Sequence, residues 1–228
     1  MSAIFTNKNI QTSELQKLNF YEHKSPGKLI TFCGLDGCGK TTLISLLNDY
    51  FYDRSHEVLL TKQPTLEFRK TAIFRNVQDT LDHAGYDYRA MSLMAAADRL
   101  QHCTNFILPA LKAGKIILCD RYFFSCLINL RARGYYNDKW IYEIARYIPK
   151  PDIAFFFDLD VETAIKRVRD RPEEKEKYID VGLQYKLKQE YTDIALENGG
   201  IIVNTEYSPQ ESFQIIQAIV EQSGLFIL

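Results

Sequence analysis

The sequence predicts an α/β fold in which a five-stranded parallel sheet lies between two layers of helices, a three-layer α/β/α sandwich. Short apolar runs alternate with longer helical patterns from residue 28 onward. Strands separated by helices pair in parallel through right-handed crossovers, which place helices on both faces of the sheet. The chain of 228 residues has no linker-like stretch in its middle, so one large core can accommodate it.

Five apolar segments are predicted to form the strands. The first is continuously apolar, which is typical of a strand buried on both faces. The predicted strands are KLITFCG (28–34), HEVLLT (56–61), KIILCD (115–120), DIAFFFDL (152–159) and GGIIVNT (199–205).

Helical patterns fill most of the intervals. After Gly39, apolar residues recur at helical spacing as far as Tyr50 and predict the first helix. Pro109 is a candidate kink in a long central tract. The other predicted helices are 67–81, the tract 88–112, a helical pair within 122–147, a helix beginning at 161–169, and 209–222.

Composition and charge exclude several classes of protein. A net charge of −1 and a pI near 6.4 give no general attraction to nucleic acid or anionic membranes. The apolar runs are far shorter than the roughly 20 residues that span a bilayer, and the N-terminus lacks the pattern of a secretory signal. The five cysteines lack paired zinc spacing and suit reduced thiols. We therefore expect a cytoplasmic protein without nucleic-acid or membrane partners, whose residues 1–27 form either a helical arm or a flexible segment.

The most specific motif is a glycine loop. Gly34, Gly39, Lys40 and Thr41 fill the pattern G-x-x-x-x-G-K-[ST] between a predicted strand and a predicted helix. Backbone N–H groups of such a loop line an anionic cradle, and the helix N-terminus adds its dipole. The lysine can reach β- and γ-phosphates, and the threonine hydroxyl can ligate Mg²⁺. An ordinary glycine turn is the alternative, but the context favours a P-loop NTPase fold. The predicted ATP-binding residues are Gly34, Leu35, Asp36, Gly37, Cys38, Gly39, Lys40, Thr41 and Thr42.

Four segments together carry a resemblance to a known family. GLDGCGKTT (34–42), AADRLQH (96–102), LCDRYFFS (118–125) and DLDVETAIKRVRDR (158–171) follow one another as the corresponding segments of thymidylate kinases do. The chain from about Lys28 to Ser208 resembles this family of P-loop nucleoside monophosphate kinases. The resemblance implies transfer of the γ-phosphoryl group of ATP, with Mg²⁺, to a nucleoside monophosphate, and dTMP is the acceptor that it favours. It also implies a domain spanning 28–228 with a lid near 168–180, and a homodimer packed through helices.

Asp120 and Arg121 end the third predicted strand. They lie at the carboxyl edge of the sheet, where open α/β folds bind their ligands. Asp120 can hold Mg²⁺ or its water shell, and Arg121 can contact the phosphate of the acceptor. The alternative is a structural ion pair at the end of a strand.

The resemblance also implies an acceptor site. Arg99 and Gln101 occupy family-like places in the central helix, and the family's matching arginine faces the acceptor. Arg69 aligns approximately with an arginine that grips the monophosphate, and Asp36 with an acidic residue directed at the sugar hydroxyl. In the alternative interpretations, Arg99 pairs with a neighbouring carboxylate such as Asp98 or Asp120, and Asp36 bonds its own loop. The predicted acceptor-binding residues are Asp36, Arg69, Arg99, Gln101 and Arg121.

The segment KRVRDRPEEKEKY contains candidate lid arginines. On a helix, Arg167 and Arg171 share a face, with Arg169 about 160° away. The loop between Gly34 and Lys40 contains no arginine, so the chain resembles family members that supply the charge-neutralising arginine from the lid. A solvated charged surface is the alternative. The predicted catalytic residues are Lys40, Asp120, Arg121, Arg167 and Arg171, and the predicted metal ligands are Thr41 and Asp120.

The residue after the second strand bears on the type of acceptor. Gln63 stands where deoxynucleoside kinases carry a glutamate base, and an amide cannot take a proton. A monophosphate oxygen is already deprotonated at neutral pH and needs no base, which favours a monophosphate acceptor. The thymine-site residues depart from the family pattern at Ala95, Asn129 and Leu130. Another nucleoside monophosphate, a nucleoside, and a non-catalytic nucleotide-binding protein stay open as alternatives.

A GTPase and a motor or transporter ATPase are disfavoured. A guanine reader of the N-K-x-D type would follow the glycine loop, whereas NKN (7–9) precedes it and lacks the aspartate. The chain also has no additional signature segment of the kind that a motor or transporter ATPase carries.

Overall fold

The computed structural model describes residues 17–79, 87–176 and 178–226. In this part of the chain, five parallel strands form one sheet in the order β2-β3-β1-β4-β5, with helices on both faces, which confirms the predicted fold class. The strands are β1 (Lys28–Gly34), β2 (Val58–Lys62), β3 (Ile116–Asp120), β4 (Ile153–Asp158) and β5 (Ile201–Asn204).

Helices connect the strands. No helix among the described residues is both long and apolar enough to cross a membrane. The helices are α1 (Lys40–Tyr52), α2 (Leu66–Arg69), α3 (Ala72–Asp79), α4 (Tyr88–His102), α5 (Leu108–Lys112), α6 (Phe124–Ala132), α7 (Trp140–Ala145), α8 (Val161–Arg169), α9 (Val181–Asn198) and α10 (Pro209–Gln222).

The central strands bring the functional segments to one edge of the sheet. β1 is buried at every position after Lys28, as its apolar pattern predicts, and β3 is buried along its whole length. In the register of the sheet, Phe32 of β1 lies beside Asp120, and Gly34 lies beside Phe157 of β4. The carboxyl ends of these strands therefore form a common edge, from which the glycine loop departs.

The helix predicted at 67–81 is two helices, so that prediction is wrong in its continuity. The hydroxyl of Thr71 donates to the carbonyl of Phe68 (2.7 Å) and accepts the N–H of Phe74 (3.4 Å). Threonine side chains that bond the nearby backbone in this way compete with helix continuation. Residues 80 and 81 of the predicted helix lie outside the described residues.

The long central tract is interrupted just before Pro109. A π-helix over Cys103–Ile107 joins α4 to α5, and Pro109 lies in the first turn of α5. Proline has no N–H and cannot continue the hydrogen-bond ladder, and a π-turn is one way in which a helix accommodates the break. The irregular turn therefore lies directly before Pro109, the residue that the sequence marks as a candidate kink.

The 18-residue helix α9 is absent from the elements that the sequence patterns predict. Its N-terminus is capped by Asp180, whose Oδ1 accepts the N–H of Leu183 (2.9 Å). It ends at Gly199, which has a left-handed φ of 68°. Its buried face, which includes Tyr191, packs against α6 and the sheet and forms one wall of the site described below.

Residues 17–27 pack against the domain. The N–H of Leu18 donates to Asn198 Oδ1 (2.9 Å), and Tyr21 forms a parallel bridge with Pro149. The ring of Phe20 contacts that of Phe124, with centroids 5.1 Å apart. Residues 1–16 of the predicted arm lie outside the described residues.

Candidate active site

A cavity of about 470 Å³ lies at the carboxyl edge of the sheet. The glycine loop, the ends of β2 and β3, and helices on both sides of them surround it. The predicted site residues that line it are Leu35, Asp36, Gly37, Gly39, Lys40, Thr41, Thr42, Arg69, Arg99, Asp120, Arg121 and Arg171, and those that do not are Gly34, Cys38, Gln101 and Arg167.

The glycine loop needs glycine for two different reasons. Gly37 and Gly39 both adopt left-handed backbone conformations, with φ of 86° and 89°. A Cβ on Gly37 would lie 2.2 Å from the carbonyl oxygen of Ala164 in α8, whereas a Cβ on Gly39 would meet nothing within 4 Å. The loop is therefore pressed against α8 on one side and open to the cavity at the N-terminus of α1. This arrangement suits an anion-binding loop.

The side chain of Lys40 is folded back onto its own loop. It is only 6% exposed, and its Nζ donates to the carbonyl oxygens of Leu35 (2.6 Å) and Gly34 (3.1 Å). Its third contact is the buried Cys38 sulfur, 3.4 Å away. An ammonium group makes three hydrogen bonds, so Lys40 reaches a phosphate only by exchanging one of these contacts.

Arg121 joins the glycine loop to α9. Its guanidinium donates to Asp36 Oδ1 (2.5 Å) and to the Tyr191 hydroxyl (2.7 Å). Burial alone would lower the pKa of Arg121, but Tyr191, Asp36 and Asp120 raise it well above its usual value, so Arg121 stays charged. Its φ of 66° is uncommon for a residue other than glycine, and such strained residues cluster at functional sites.

Asp120 has one oxygen engaged and one without a partner. Its Oδ2 forms an ion pair with Lys62 (2.7 Å), while the buried Oδ1 has no hydrogen-bond partner in the described part of the chain. The exposed hydroxyl-bearing Thr41 lines the same cavity. Mg²⁺ is held in kinases by one or two protein oxygens together with substrate phosphates, so this donor set fits it. No cluster of three or more His, Cys, Asp or Glu among the described residues would hold a metal ion by itself.

Arg99 is a buried cation facing the cavity. It is 3% exposed and donates to the carbonyls of Ala95 (3.0 Å) and Tyr122 (3.4 Å). The alternative ion pair with Asp98 or Asp120 is not formed among the described residues. Asp98 instead accepts from Thr65, through its N–H at 2.9 Å and its hydroxyl at 2.5 Å.

Three other predicted positions have different surroundings. Gln101, two residues beyond Arg99 on α4, is exposed and does not reach the cavity. The half-buried Arg69 lines the cavity while its Nε donates to the Thr65 carbonyl (3.3 Å). Gln63 is fully buried and contacts His102, away from the cavity.

The lid arginines do not share a helix face, so that prediction is wrong. α8 ends at Arg169, and Arg171 has an extended backbone before the short 3₁₀-helix Pro172–Glu174. Proline disfavours helical conformation in the residue that precedes it. Arg171 lines the cavity and pairs with Glu174 (3.6 Å), whereas Arg167 Nη1 donates to the carbonyl of Thr205 (3.5 Å). Residue 177 of the predicted lid lies outside the described residues.

The sequence patterns leave many of the lining residues of the cavity unpredicted. Among the lining residues, Phe68 and Phe74 form a T-shaped pair, with ring centroids 5.5 Å apart. Of the positions that depart from the family pattern, Ala95 and Asn129 line the cavity, and Leu130 is buried in the core. The other lining residues without a sequence prediction include Lys62, Tyr88, Met91, Ser92, Ser125, Cys126, Arg133, Leu183, Leu187 and Tyr191. The spacing of Leu183, Leu187 and Tyr191 at every fourth residue is the signal that could have revealed the wall formed by α9.

A sequence model of the family described as Thymidylate kinase matches residues 32–216. The chain belongs to the thymidylate kinase family. The probable thymidylate kinase of Pyrococcus horikoshii is 39% identical over 171 residues, covering 74% of this chain and 83% of that protein. That of Pyrococcus abyssi is 36% identical over 204 residues (87% and 98%), and the thymidylate kinase of Geobacillus sp. (strain WCH70) is 31% identical over 206 residues (86% and 97%). The thymidylate kinase match includes the glycine loop, Arg99 and the Asp120–Arg121 pair.

Proposed function

We propose that this chain transfers the γ-phosphoryl group of ATP to a nucleoside monophosphate, with dTMP as the preferred acceptor. One observation carries the proposal: the glycine loop, Arg99 and Arg121 line the same cavity. Such a cavity can hold a triphosphate and a second phosphate face to face, which is the arrangement that phosphoryl transfer requires. The preference for dTMP is supported by membership of the family, whose relatives above are named as thymidylate kinases.

The donor half of the site is the glycine loop. The N–H groups of the loop and of the first turn of α1 bind the triphosphate, and Lys40 leaves the carbonyls of its own loop to bond β- and γ-phosphate oxygens. Thr41 and the free oxygen of Asp120 would hold Mg²⁺ directly or through its water. Held there, Mg²⁺ would supply positive charge that offsets the negative charge developing on the phosphates during transfer.

The acceptor half lies opposite. Positive charge for the phosphate and the base of the monophosphate comes from Arg121, Arg69 and Arg99. The carboxylate of Asp36 accepts a hydrogen bond from the sugar hydroxyl. No protein base is needed, because the second pKa of a monophosphate is near 6. In keeping with this, Gln63 stands at the position of the nucleoside kinase base, and its side chain is buried away from the cavity.

The lid is proposed to cover residues 168–180, with Arg171 as the residue that meets the transferring phosphoryl group. Arg171 already lines the cavity, and its pairing partner Glu174 is only three residues away. A lid of this kind excludes water and limits hydrolysis of ATP. Arg167, bonded to a carbonyl after β5, is proposed to have a structural role.

We further propose a cytoplasmic homodimer that packs through helices. Leu93 and Met94 of α4 and Phe106 of the following π-helix are exposed apolar side chains near one another in sequence. Exposed apolar side chains of this kind suit a helix-to-helix interface. Sedimentation equilibrium of the wild-type chain and of Leu93→Glu tests this, and a monomeric wild type would refute it.

The test of function is release of ADP from Mg·ATP with a panel of acceptors: dTMP, dUMP, UMP, CMP, dCMP, AMP, GMP and thymidine. We expect the highest rate with dTMP, and loss of turnover in Lys40→Ala, because the cation that bridges the β- and γ-phosphates is removed. Lys112→Ala, which removes an exposed lysine outside the cavity, is the matched control. Turnover of thymidine alone would indicate a nucleoside kinase. Stabilisation by ATP without ADP release would indicate a non-catalytic binding protein.

A further inference from the structure

We propose that Asn129 and Arg133 select the base of the acceptor, favouring bases that carry an oxo group beside a ring N–H over bases with an amino group in that place. Thymine and uracil belong to the first class, cytosine and adenine to the second. Both residues line the cavity, Asn129 within α6 and Arg133 directly after it. The inference rests on the proposed function, since it concerns the monophosphate which that reaction consumes.

The orientation of the Asn129 amide is fixed by its neighbours. Its Nδ2 donates to the carbonyl of Ser125 (2.8 Å), and its Oδ1 accepts from Nη1 of Arg133 (2.9 Å). A carbonyl can only accept and a guanidinium can only donate, so the amide oxygen and nitrogen cannot exchange places. Each end of the amide keeps one further position for a ligand: a hydrogen on Nδ2 and a lone pair on Oδ1.

The guanidinium of Arg133 is held from two sides. Its Cζ lies 4.0 Å from the centroid of the Tyr88 ring, and its Nη1 bonds both the carbonyl (3.2 Å) and the Oδ1 of Asn129. Burial raises the pKa of Tyr88 to about 12, so the ring beneath the cation is neutral at physiological pH. Because both described hydrogen bonds use Nη1, the hydrogens on Nη2 and Nε are available to an acceptor.

These two groups together match the edge of an oxo base. The guanidinium, which only donates, lies beside the amide oxygen, which only accepts, because the two are hydrogen-bonded to each other. Thymine and uracil present an oxo acceptor next to a ring N–H donor, so both contacts are complementary. Cytosine presents an amino group and an unprotonated ring nitrogen at this edge. Its amino group, a donor, would face the Arg133 guanidinium, which is also a donor. Its ring nitrogen, an acceptor, would face the Asn129 oxygen, which is also an acceptor. Polar sites that leave such groups unpaired reject the mismatched ligand strongly.

Two neighbouring features fit a base at this place. The hydroxyl of Ser125 is buried, lines the cavity, and has no hydrogen-bond partner in the described part of the chain. It can bond a base or sugar oxygen. The pair Phe68 and Phe74 offers aromatic surface in the same cavity, where Ala95 of α4 supplies only a methyl group.

The experiment measures kcat/KM for dTMP and for dCMP in the wild type, Arg133→Gln, Arg133→Lys and Asn129→Leu. A hydrogen bond to a charged group contributes enough that its loss should reduce the dTMP-to-dCMP ratio by about tenfold or more. Arg133→Lys keeps the charge without the planar fork, so we expect its ratio to stay low. Arg89→Gln is the matched control: Arg89 lies over Tyr135 (4.3 Å), pairs with Asp138 and does not line the cavity. Its ratio should equal that of the wild type.

The outcomes separate this inference from the proposed function. A wild type that turns over dTMP, with the same ratio in Arg133→Gln and Asn129→Leu, would overturn the inference and leave the kinase function standing. A wild type that prefers dCMP or AMP would overturn the inference and the proposed preference for dTMP, and would leave only the transfer to a nucleoside monophosphate standing. A wild type that turns over no monophosphate would refute the function. In that case calorimetric binding of dTMP and dCMP to the wild type and Arg133→Gln still decides whether these residues select the base.

Discussion

Replacing Arg99 with methionine should separate the stability of the fold from binding of the acceptor. The guanidinium donates to the carbonyls of Ala95 and Tyr122, and no carboxylate neutralises it in the described chain. Tyr122 O also accepts the N–H of Ser125 (3.0 Å), and Ala95 O lies within α4, where the helical bond from residue 99 persists. Removing the side chain therefore leaves no buried carbonyl without a partner.

The expected magnitude follows from the balance of two effects. Burying a cation lowers the free energy of unfolding by several kcal/mol, whereas each hydrogen bond that the cation makes raises it by roughly 1.5–3 kcal/mol. We expect Arg99→Met to leave the free energy of unfolding unchanged or to raise it by up to about 3 kcal/mol, a rise in Tm of up to roughly 10 °C for a chain of this size. Affinity for dTMP should fall by about 10- to 100-fold, because the charged contact to the acceptor is lost.

Arg131→Met is the matched control, measured by the same thermal unfolding and dTMP titration calorimetry. Arg131 is partly buried, with 11% of its side chain exposed, but it bonds Glu197 (2.9 Å) and the Tyr142 hydroxyl (2.8 Å). Breaking a buried pair leaves a carboxylate uncompensated, and we expect a loss of about 3–5 kcal/mol. Equal losses of Tm in the two variants, or wild-type affinity for dTMP in Arg99→Met, would refute the reasoning.

Three further predictions concern the lid, the glycine loop and pH. Arg171→Ala should lower kcat by on the order of 10³-fold, because Arg171 lines the cavity. The kcat of Arg167→Ala should stay near that of the wild type, because Arg167 bonds a backbone carbonyl instead. Steady-state kinetics that show the reverse would contradict the assignment. Gly37→Ala and Gly39→Ala both place a side chain at positive φ, costing about 1–2 kcal/mol, but only Gly37→Ala also meets a carbonyl of α8. Its Tm should therefore be lower, and equal values would contradict the packing. Burial lowers the pKa of His102 below 6.5, so the unfolded chain binds more protons there and stability falls as pH drops below about 6.5. His102→Gln has no group that titrates here, so its stability does not fall for this reason at acid pH. The difference in Tm between the wild type and His102→Gln should therefore become smaller as the pH falls below about 6.5. A difference that does not change with pH would exclude the effect.

The parts of the site that follow from local pattern are predictable from the sequence. The glycine loop is specified by Gly34, Gly39 and Lys40 between an apolar run and a helical pattern. Strand ends in a parallel sheet meet at one edge, so Asp120 and Arg121 fall beside that loop once the fold class is known. These inferences need only the period of the apolar residues and the rules of parallel pairing.

The parts that depend on contacts distant in sequence are not predictable in the same way. α9 is rich in polar residues, and the apolar spacing of Leu183, Leu187 and Tyr191 is its one sequence signal for the face that lines the cavity. Which candidate lid arginine lies at the cavity depends on where α8 ends. Pro172 prevents the helix from continuing through Arg171, so Arg167 and Arg171 do not share a helix face. The partners of Asn129 depend on where α6 ends and on the stacking of Arg133 over Tyr88.

The packing of residues 17–27 has a practical consequence for anyone expressing this protein. The family match begins at residue 32, inside β1, so a gene trimmed to the recognisable range would start partway along a central strand. Even a cut at Lys28 would uncover the aromatic rings that follow Arg121, since Phe20 covers Phe123 and Phe124. The segment that precedes the family match thus packs against the aromatic residues that follow β3, and a shortened protein that misfolds would not show what the complete enzyme does.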